Sequence, residues 1–481
     1  MTKTFYNHKQ SSISELTMMF KRLFIFLPLA VILIGCATVR EARNVQKGEE
    51  RPIGERTPTA AELGLSSDKQ LALADLEQIA LKANPSIRQA VNGVNMAYLA
   101  VRIQKADFLP MITASAGHSR TTKNTNKHNY DYDTVGTWNG ALNLDLLIYD
   151  FGKTDAAVKQ SLEEYKEALQ KLRSTENGVI YAVRTAYFSL LRAVELDKVA
   201  KESVAQYKEH LDHVQIKNEV GSGTPFDLTK AKVDYNNAIL KSNTAANNIS
   251  IAWTNLVNAI GLAENITFPL STVSLKEYEL NVEKLMELAR QSEPGLAALV
   301  VAEKAANLNV EKTIRDLYPS LNLNLGLLLS GHDPSLPWLW NASGAASLAG
   351  TIFTGGKKEN AIKLATIQLK NARAAIVVYE HELYKKLSAA ALNAELAQKQ
   401  LQVAQLMESQ AQEYFNIVSE QYNVGKASSL ERTDAQVSLS DAKAKTVAAI
   451  YDYQDALAVI SNLTGDFPET EHDDIEKPEV E

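Results

Sequence analysis

Two stretches hold residue types suited to gripping a phosphate. "EVGSGTPFDLTKAK" (219–232) is a glycine-rich turn leading into a helical pattern. "NVGKASSLERTDAQ" (423–436) contains "GKAS", which looks like the end of a nucleotide-binding loop. Unpaired backbone N–H groups at a helix start would supply the anion site. The second stretch, however, lacks the earlier glycine a P-loop needs, and it follows a helical pattern where a P-loop follows a strand. The other chemistry-bearing residues are sparse. Cys36 is the only cysteine, so neither a disulfide framework nor a CxxC pair exists. His118, His128 and His332 fall in or near polar loop segments, where solvated histidines outnumber metal ligands. Beyond the N-terminal segment, Met96, Met111, Met286 and Met407 are scattered, without the thioether pairs of a soft-metal site. No catalytic residue, metal or cofactor is expected, and an enzyme is the least supported class.

The two turns share something other than phosphate: they lie one fixed interval apart. An offset of 204 relates Gly221 to Gly425, Asp227 to Glu431, Gly261 to Gly465, and "IYDFGKTDAAV" (148–158) to "IFTGGKKENAI" (352–362). Upstream, Pro85 pairs with Pro294 and Pro110 with Pro319 at an offset of 209, so the first copy has the longer loop between Pro110 and Ile148. The chain is an internal duplication, with copies at 71–265 and 286–465 and a connector at 266–285.

Within each copy the hydrophobic period changes. From 158 to 214, seventeen positions in alternating 4–3 spacing are apolar except for Glu176 and Asp197, and adding 204 gives a matching seam in the second copy. Sustained heptads predict coiled-coil helices at 154–217 and 357–421, with return helices at 225–261 and 428–463. At about 1.5 Å per residue each long helix reaches on the order of 95 Å, and its polar outer face keeps it out of lipid. Before each long helix the pattern alternates instead. "TWNGALNLDLLIY" (137–149) and "LNLNLGLLL" (321–329) set apolar residues on one face and Asn, Asp, Thr or Gly on the other. That is the pattern of a transmembrane barrel strand, and it predicts strands at about 111–121, 137–149, 320–330 and 339–353. Four strands cannot close a barrel, and an open edge in hydrocarbon leaves backbone groups unsatisfied. Strands in a membrane therefore require several chains to share one barrel.

The ends are also informative. In "MMFKRLFIFLPLAVILIGCATVR" (18–40), Lys21 and Arg22 precede an apolar run from Leu23 to Ile34 that ends at Gly35 and Cys36. This reads as a signal peptide over 1–35, with the start at Met1, Met18 or Met19 left open. "LIGC" resembles a lipoprotein signal, which makes Cys36 the lipidated residue and 36–70 its linker; Ala37 favours outer-membrane delivery. The tail, 466–481, is acidic and expected to be disordered. A net charge of −7 gives no basic excess for nucleic acid.

The doubled order of proline-ended helix, strand pair, long helix, "VG" turn and return helix, entered through "LALADLEQIALKANPSIRQA" (71–90), resembles the TolC-family outer membrane factors, lipoprotein subgroup. The resemblance implies a mainly α fold with a transmembrane β-barrel contribution. Long coiled-coil hairpins would form a periplasmic α-barrel, and four strands per chain would complete a shared outer-membrane barrel in a homotrimer. It implies an exit duct anchored in outer-membrane lipid and served by a periplasmic adaptor and an inner-membrane pump or ABC exporter. Efflux of small molecules is the first reading. Type I protein secretion uses the same fold, and a pore-free, lipid-anchored coiled-coil protein is a third reading. The helix–strand junctions would lie at Pro110, Gly152, Pro319 and Gly356. Carried across, a periplasmic gate would use Tyr422, Glu431, Asp434 and Asp227, with Lys426 beside Ala427, where the family's linking arginine is absent. The adaptor would dock on Gly221, Ser222, Phe226, Gly425, Ala427 and Leu430.

Overall fold

The computed structural model describes residues 38–40, 42–43, 63, 70–124, 132–264, 266–271, 274–332, 335–468 and 475. The expected signal segment, Cys36, most of the linker, His128 in its loop and most of the acidic tail lie outside the described residues. The chain forms two units, Met1–Pro58 and Thr59–Glu481. In the first, residues 38–40 and 42–43 are helical and exposed. The second carries the elements below.

Each copy runs helix, helix, strand, strand, long helix, return helix. In the first these are α1 (Leu73–Ala83), α2 (Pro85–Ala106), β1 (Met111–Asn124), β2 (Tyr132–Tyr149), α3 (Lys153–Glu219) and α4 (Pro225–Ile260). In the second they are α5 (Val282–Ser292), α6 (Pro294–Arg315), β3 (Ser320–His332), β4 (Ser335–Ala349), α7 (Lys357–Asn423) and α8 (Ser429–Thr464). The paired prolines and glycines of the duplication meet in space. Pro85 and Pro294 open α2 and α6 at the first turn, where a missing N–H costs nothing. Gly261 and Gly465 end α4 and α8 in the left-handed region, packed against Asn84 and Ser292, which lead into α2 and α6.

The strands form one antiparallel meander in the order β1-β2-β3-β4. Register sets one row as Ile112, Leu144, Leu325 and Gly344 and the next as Thr113, Asn143, Gly326 and Ser343. One face is therefore apolar and the other polar, as the alternation predicts. Asp145 and Asn324 hydrogen-bond on the polar face. Two strands differ most from the sequence reading. β2 begins at Tyr132 because the ladder continues past Thr122 and Thr134, whose hydroxyls are 3.0 Å apart. β4 runs Ser335–Ala349 instead of 339–353. Gly350 closes against Pro319, and Ile352 and Phe353 stand out in solvent before the left-handed Gly355 and Gly356 turn the chain into α7.

The long helices α3 and α7 have 67 residues each, about 100 Å of helix. Seam positions such as Tyr165, Leu172, Val179 and Leu190, and Leu369, Leu383 and Leu387 at three of the matching places, are buried. The two charged exceptions are buried as well, and Asp197 is held by Lys201 at 2.7 Å. α3 also buries a second face, which a one-seam reading does not anticipate: Ile180, Tyr187 and Phe188 join a core with α1, α2, the end of α4 and the connector. The order of packing is α2, α3, α6, α7 at one level and α4, α3, α8, α7 at the other.

Candidate functional site: hairpin tips and strand sheet

The turn at the end of α3 and the turn at the end of α7 are built alike. Val220 and Val424 cap the helices, and Gly221 (φ 76°) and Gly425 (φ 75°) reverse the chain. Ser222 and Gly223 donate their N–H groups to the Lys217 carbonyl at 2.8 and 2.9 Å; Lys426 and Ala427 do the same to Gln421 at 2.8 and 3.2 Å. These bonds satisfy the last carbonyls of each helix. Thr224 then caps α4, accepting from the Asp227 N–H at 3.1 Å and donating to its carboxylate at 2.6 Å. Ser428 caps α8 in a reciprocal box: Glu431 N–H donates to Ser428 Oγ at 3.2 Å, and Ser428 N–H donates to the Glu431 carboxylate at 2.6 Å. The glycine-rich turns thus spend their N–H groups on their own helices, which leaves no phosphate cradle.

Of the expected gate residues, Asp227 and Glu431 are engaged in these caps, and Lys426 and Asp434 are exposed. The Ser428 N–H and hydroxyl hold the Glu431 carboxyl below the usual carboxylate range. Tyr422 sits elsewhere. It is buried inside the chain, with Lys217 Nζ 4.2 Å above its ring, the Arg432 guanidinium 5.6 Å from it and the His210 ring 5.5 Å away edge-on. His210 and Arg432 were not singled out by sequence reasoning. His210 lies off the heptad seam, on the face turned to α8, and nothing in a two-helix pattern marks contacts with a third. The residues expected to dock a partner are outward: Gly221, Ser222, Phe226, Gly425 and Leu430 are exposed and Ala427 is half-exposed. Val220 and Val424 add to the apolar surface at each tip.

At the other end, Gly152 (φ 82°) turns β2 into α3 directly beneath Arg315, whose Nη1 donates to the Gly152 carbonyl at 2.6 Å. Asp150 accepts from Thr154 N–H at 2.7 Å and from Gly152 N–H at 3.0 Å. Asp316 pairs with Lys153 and, at 3.4 Å, with Lys358, tying the starts of both long helices together. Gly356 (φ 84°) is the counterpart of Gly152; Pro110 and Pro319 precede β1 and β3. Around this junction Phe151 stacks on Tyr318 with centroids 5.4 Å apart and meets Tyr149 at a tilt, 4.9 Å away. Trp138 and Trp340 stand exposed toward the far end of the strands. From Trp138 to Tyr149, a strand tilted at about 45° rises on the order of 25 Å. That is the height of an apolar band between two aromatic girdles. None of the described helices is long and apolar enough to cross a membrane.

Residues 76–262 and 285–466 match the outer membrane efflux protein family, one stretch per copy. The chain belongs to this family. It is 24% identical over 393 residues to the probable efflux pump outer membrane protein TtgC of Pseudomonas putida, covering 77% of this chain and 78% of that one. It is likewise 24% identical to the outer membrane efflux protein BepC of Brucella suis, over 80% and 83% of the two chains. Among solved structures it is similar to the CmeC outer membrane channel of Campylobacter jejuni (TM-score 0.70, 20% identity, 82% and 85% covered). It is also similar to CusC (TM-score 0.72, 18% identity, 82% and 92% covered). This efflux protein therefore has the architecture of the outer membrane channels, and its place is the outer membrane. The family is one of transport ducts, not of enzymes. Among the described residues, no cluster of three His, Cys, Asp or Glu side chains is arranged to hold a metal.

Proposed function

We propose that this efflux protein is the passive exit duct for small molecules, such as drugs or solvents, expelled by an inner-membrane pump through a periplasmic adaptor. Its working form would be a homotrimer with a twelve-stranded barrel in the outer membrane and a helical barrel in the periplasm, anchored by lipid on Cys36. The single observation that carries this reading is the sheet. It is apolar on one face and polar on the other, girdled by aromatics at both ends, and open at the outer edges of β1 and β4. Such edges cannot face lipid. Pairing β4 of one chain with β1 of the next satisfies both, and the polar faces then line a lumen. The relatives already named, among them an efflux pump outer membrane protein, support small-molecule efflux over protein secretion. The exposed apolar residues at the two tips are the proposed adaptor contacts. The purified protein should migrate as a heat-labile trimer in unheated gels and conduct ions in planar bilayers. A monomer without conductance would sink the duct reading.

A further inference from the structure

Each hairpin is internally cemented by apolar seams, and the two hairpins of one chain meet on an apolar patch at Phe188, Val447 and Tyr451 and otherwise along a polar line. Between α3 and α8, Asn177 Nδ2 donates to the Asn462 carbonyl at 2.7 Å, and Arg184 donates to Ser461 Oγ at 2.5 Å. Arg192 pairs with Asp452 at 2.8 Å, and Lys443 with Glu202 at 2.6 Å. Toward the tips Ser203 meets Ser440 at 3.3 Å, Gln436 donates to Gln206, and His210 Nε2 lies 3.1 Å from Ser429 Oγ. Water can replace such contacts at small net cost, so the stretch from Glu202 and Lys443 to the tips can part while each hairpin, and the Phe188–Tyr451 contact above it, stays whole.

At its tip end the line closes on the Tyr422 cluster, and there the chemistry changes. His210 and Arg432 are 3% and 9% exposed, and His210 Nδ1 and Arg432 Nε are buried without a hydrogen-bond partner. The cluster draws on three helices of the two hairpins: His210 and Lys217 from α3, Tyr422 from α7 and Arg432 from α8. The charged or titratable groups facing His210 are Lys217 and His213 on its own helix, Asp234 from α4, Tyr422 from α7 and Arg432 from α8. Three of them are cationic or can become so, against one carboxylate. Neutral His210 fits among them; an imidazolium would bury a further positive charge beside Arg432 and Lys217, which like-charge repulsion and desolvation both oppose. We propose that His210, Arg432 and Tyr422 form the clasp that holds the second hairpin against the first in the shut duct, and that protonation of His210 releases it.

The proposal rests on the duct reading but has its own observable. Burial first, then Arg432, pushes the His210 imidazole down to about 4. A group held below its unfolded value of about 6.5 supports the clasped form above that value and loses it as pH falls toward 4. Each unit in that window favours the released form by up to about tenfold. Nitroxide labels on Ser222→Cys and Ala427→Cys in the whole purified protein, read by pulsed electron resonance, should give a narrow distance at pH 7.5 that lengthens at pH 4.5. Bilayer conductance should rise in parallel. His210→Gln should stay narrow and shut at both values, and Lys217→Met, which removes one opposing cation and so narrows the gap between the clasped and released imidazole, should move the release midpoint to lower pH. An acid response retained in His210→Gln, or absent from the wild type, overturns the clasp; if His210→Gln does not assemble, an unmoved midpoint in Lys217→Met does so. An acid-lengthened distance without conductance at any pH would instead overturn the duct and uphold the clasp.

Discussion

At the scale of single residues, the tips ask much of few side chains. Glu431 is both a cap and, in the proposed gate, a fixed charge. Because the Ser428 N–H and hydroxyl hold its carboxyl below the usual range, a folded value under the unfolded one keeps Glu431 ionised above the ordinary carboxylate region. The charge is lost only as pH falls through that depressed value. Symmetry copies of Glu431 and exposed Asp434 around a trimer axis would then favour cations over anions. Glu431→Gln with Asp434→Asn tests this better than alanine would, since glutamine still completes a capping box. Cation preference in planar bilayers should fall sharply while the thermal midpoint of the protein stays near wild type. Unaltered selectivity would remove both residues from the conduction path.

At the scale of elements, the glycines that mark the duplication do two different jobs. Gly221 and Gly425 sit in the left-handed region with nothing within 4 Å of an added Cβ, so alanine there costs only the conformational term, about 1–2 kcal/mol. Gly261 has a similar φ of 96°, yet its Cβ would lie 2.7 Å from Asn84 Cα. Backbone cannot yield there as a side-chain tip would, so Gly261→Ala should cost roughly 1–3 kcal/mol more. Thermal unfolding in detergent should rank Gly261→Ala well below Gly221→Ala; equal losses would mean that the α4–α2 junction is loose. Both glycines are legible in the sequence as a repeat, but only the fold separates the turn from the close approach. The same holds more widely. Heptads and alternation are one-dimensional signals, so α3, α7 and the strand faces can be read from spacing. The end of β4 cannot, because Ile352 and Phe353 look like strand and are left outside by the Gly350–Pro319 contact. The Tyr422 cluster cannot either, because it depends on which face of α3 meets a helix more than two hundred residues away.

At the scale of the whole molecule, the two ends of the helical layer are unfinished in the same way as the two edges of the sheet. In the order α4, α3, α8, α7 the outer members are α4 and α7. Each leaves apolar side chains in solvent: Val233, Leu240 and Ile251 on α4, and Leu392, Leu396, Val403 and Leu406 on α7. Leu392 and Leu396, and Val403 and Leu406, are spaced by four and three residues, a second coiled-coil seam left exposed among the described residues. Two different surfaces that need covering, one on each flank, make a heterologous contact, which closes into a ring when the rotation allows. The sheet demands the same operation, β4 to the next β1, so one rotation satisfies backbone and side chains together. Leu240→Asp and Leu396→Asp test the two flanks separately. Each residue is more than half exposed in the single chain, so the helical signal in circular dichroism should be preserved. Each substitution would place a carboxylate in an apolar seam of the ring, and the trimer band in unheated gels should be lost from either variant. A trimer surviving both would mean that the ring is held by the sheet alone.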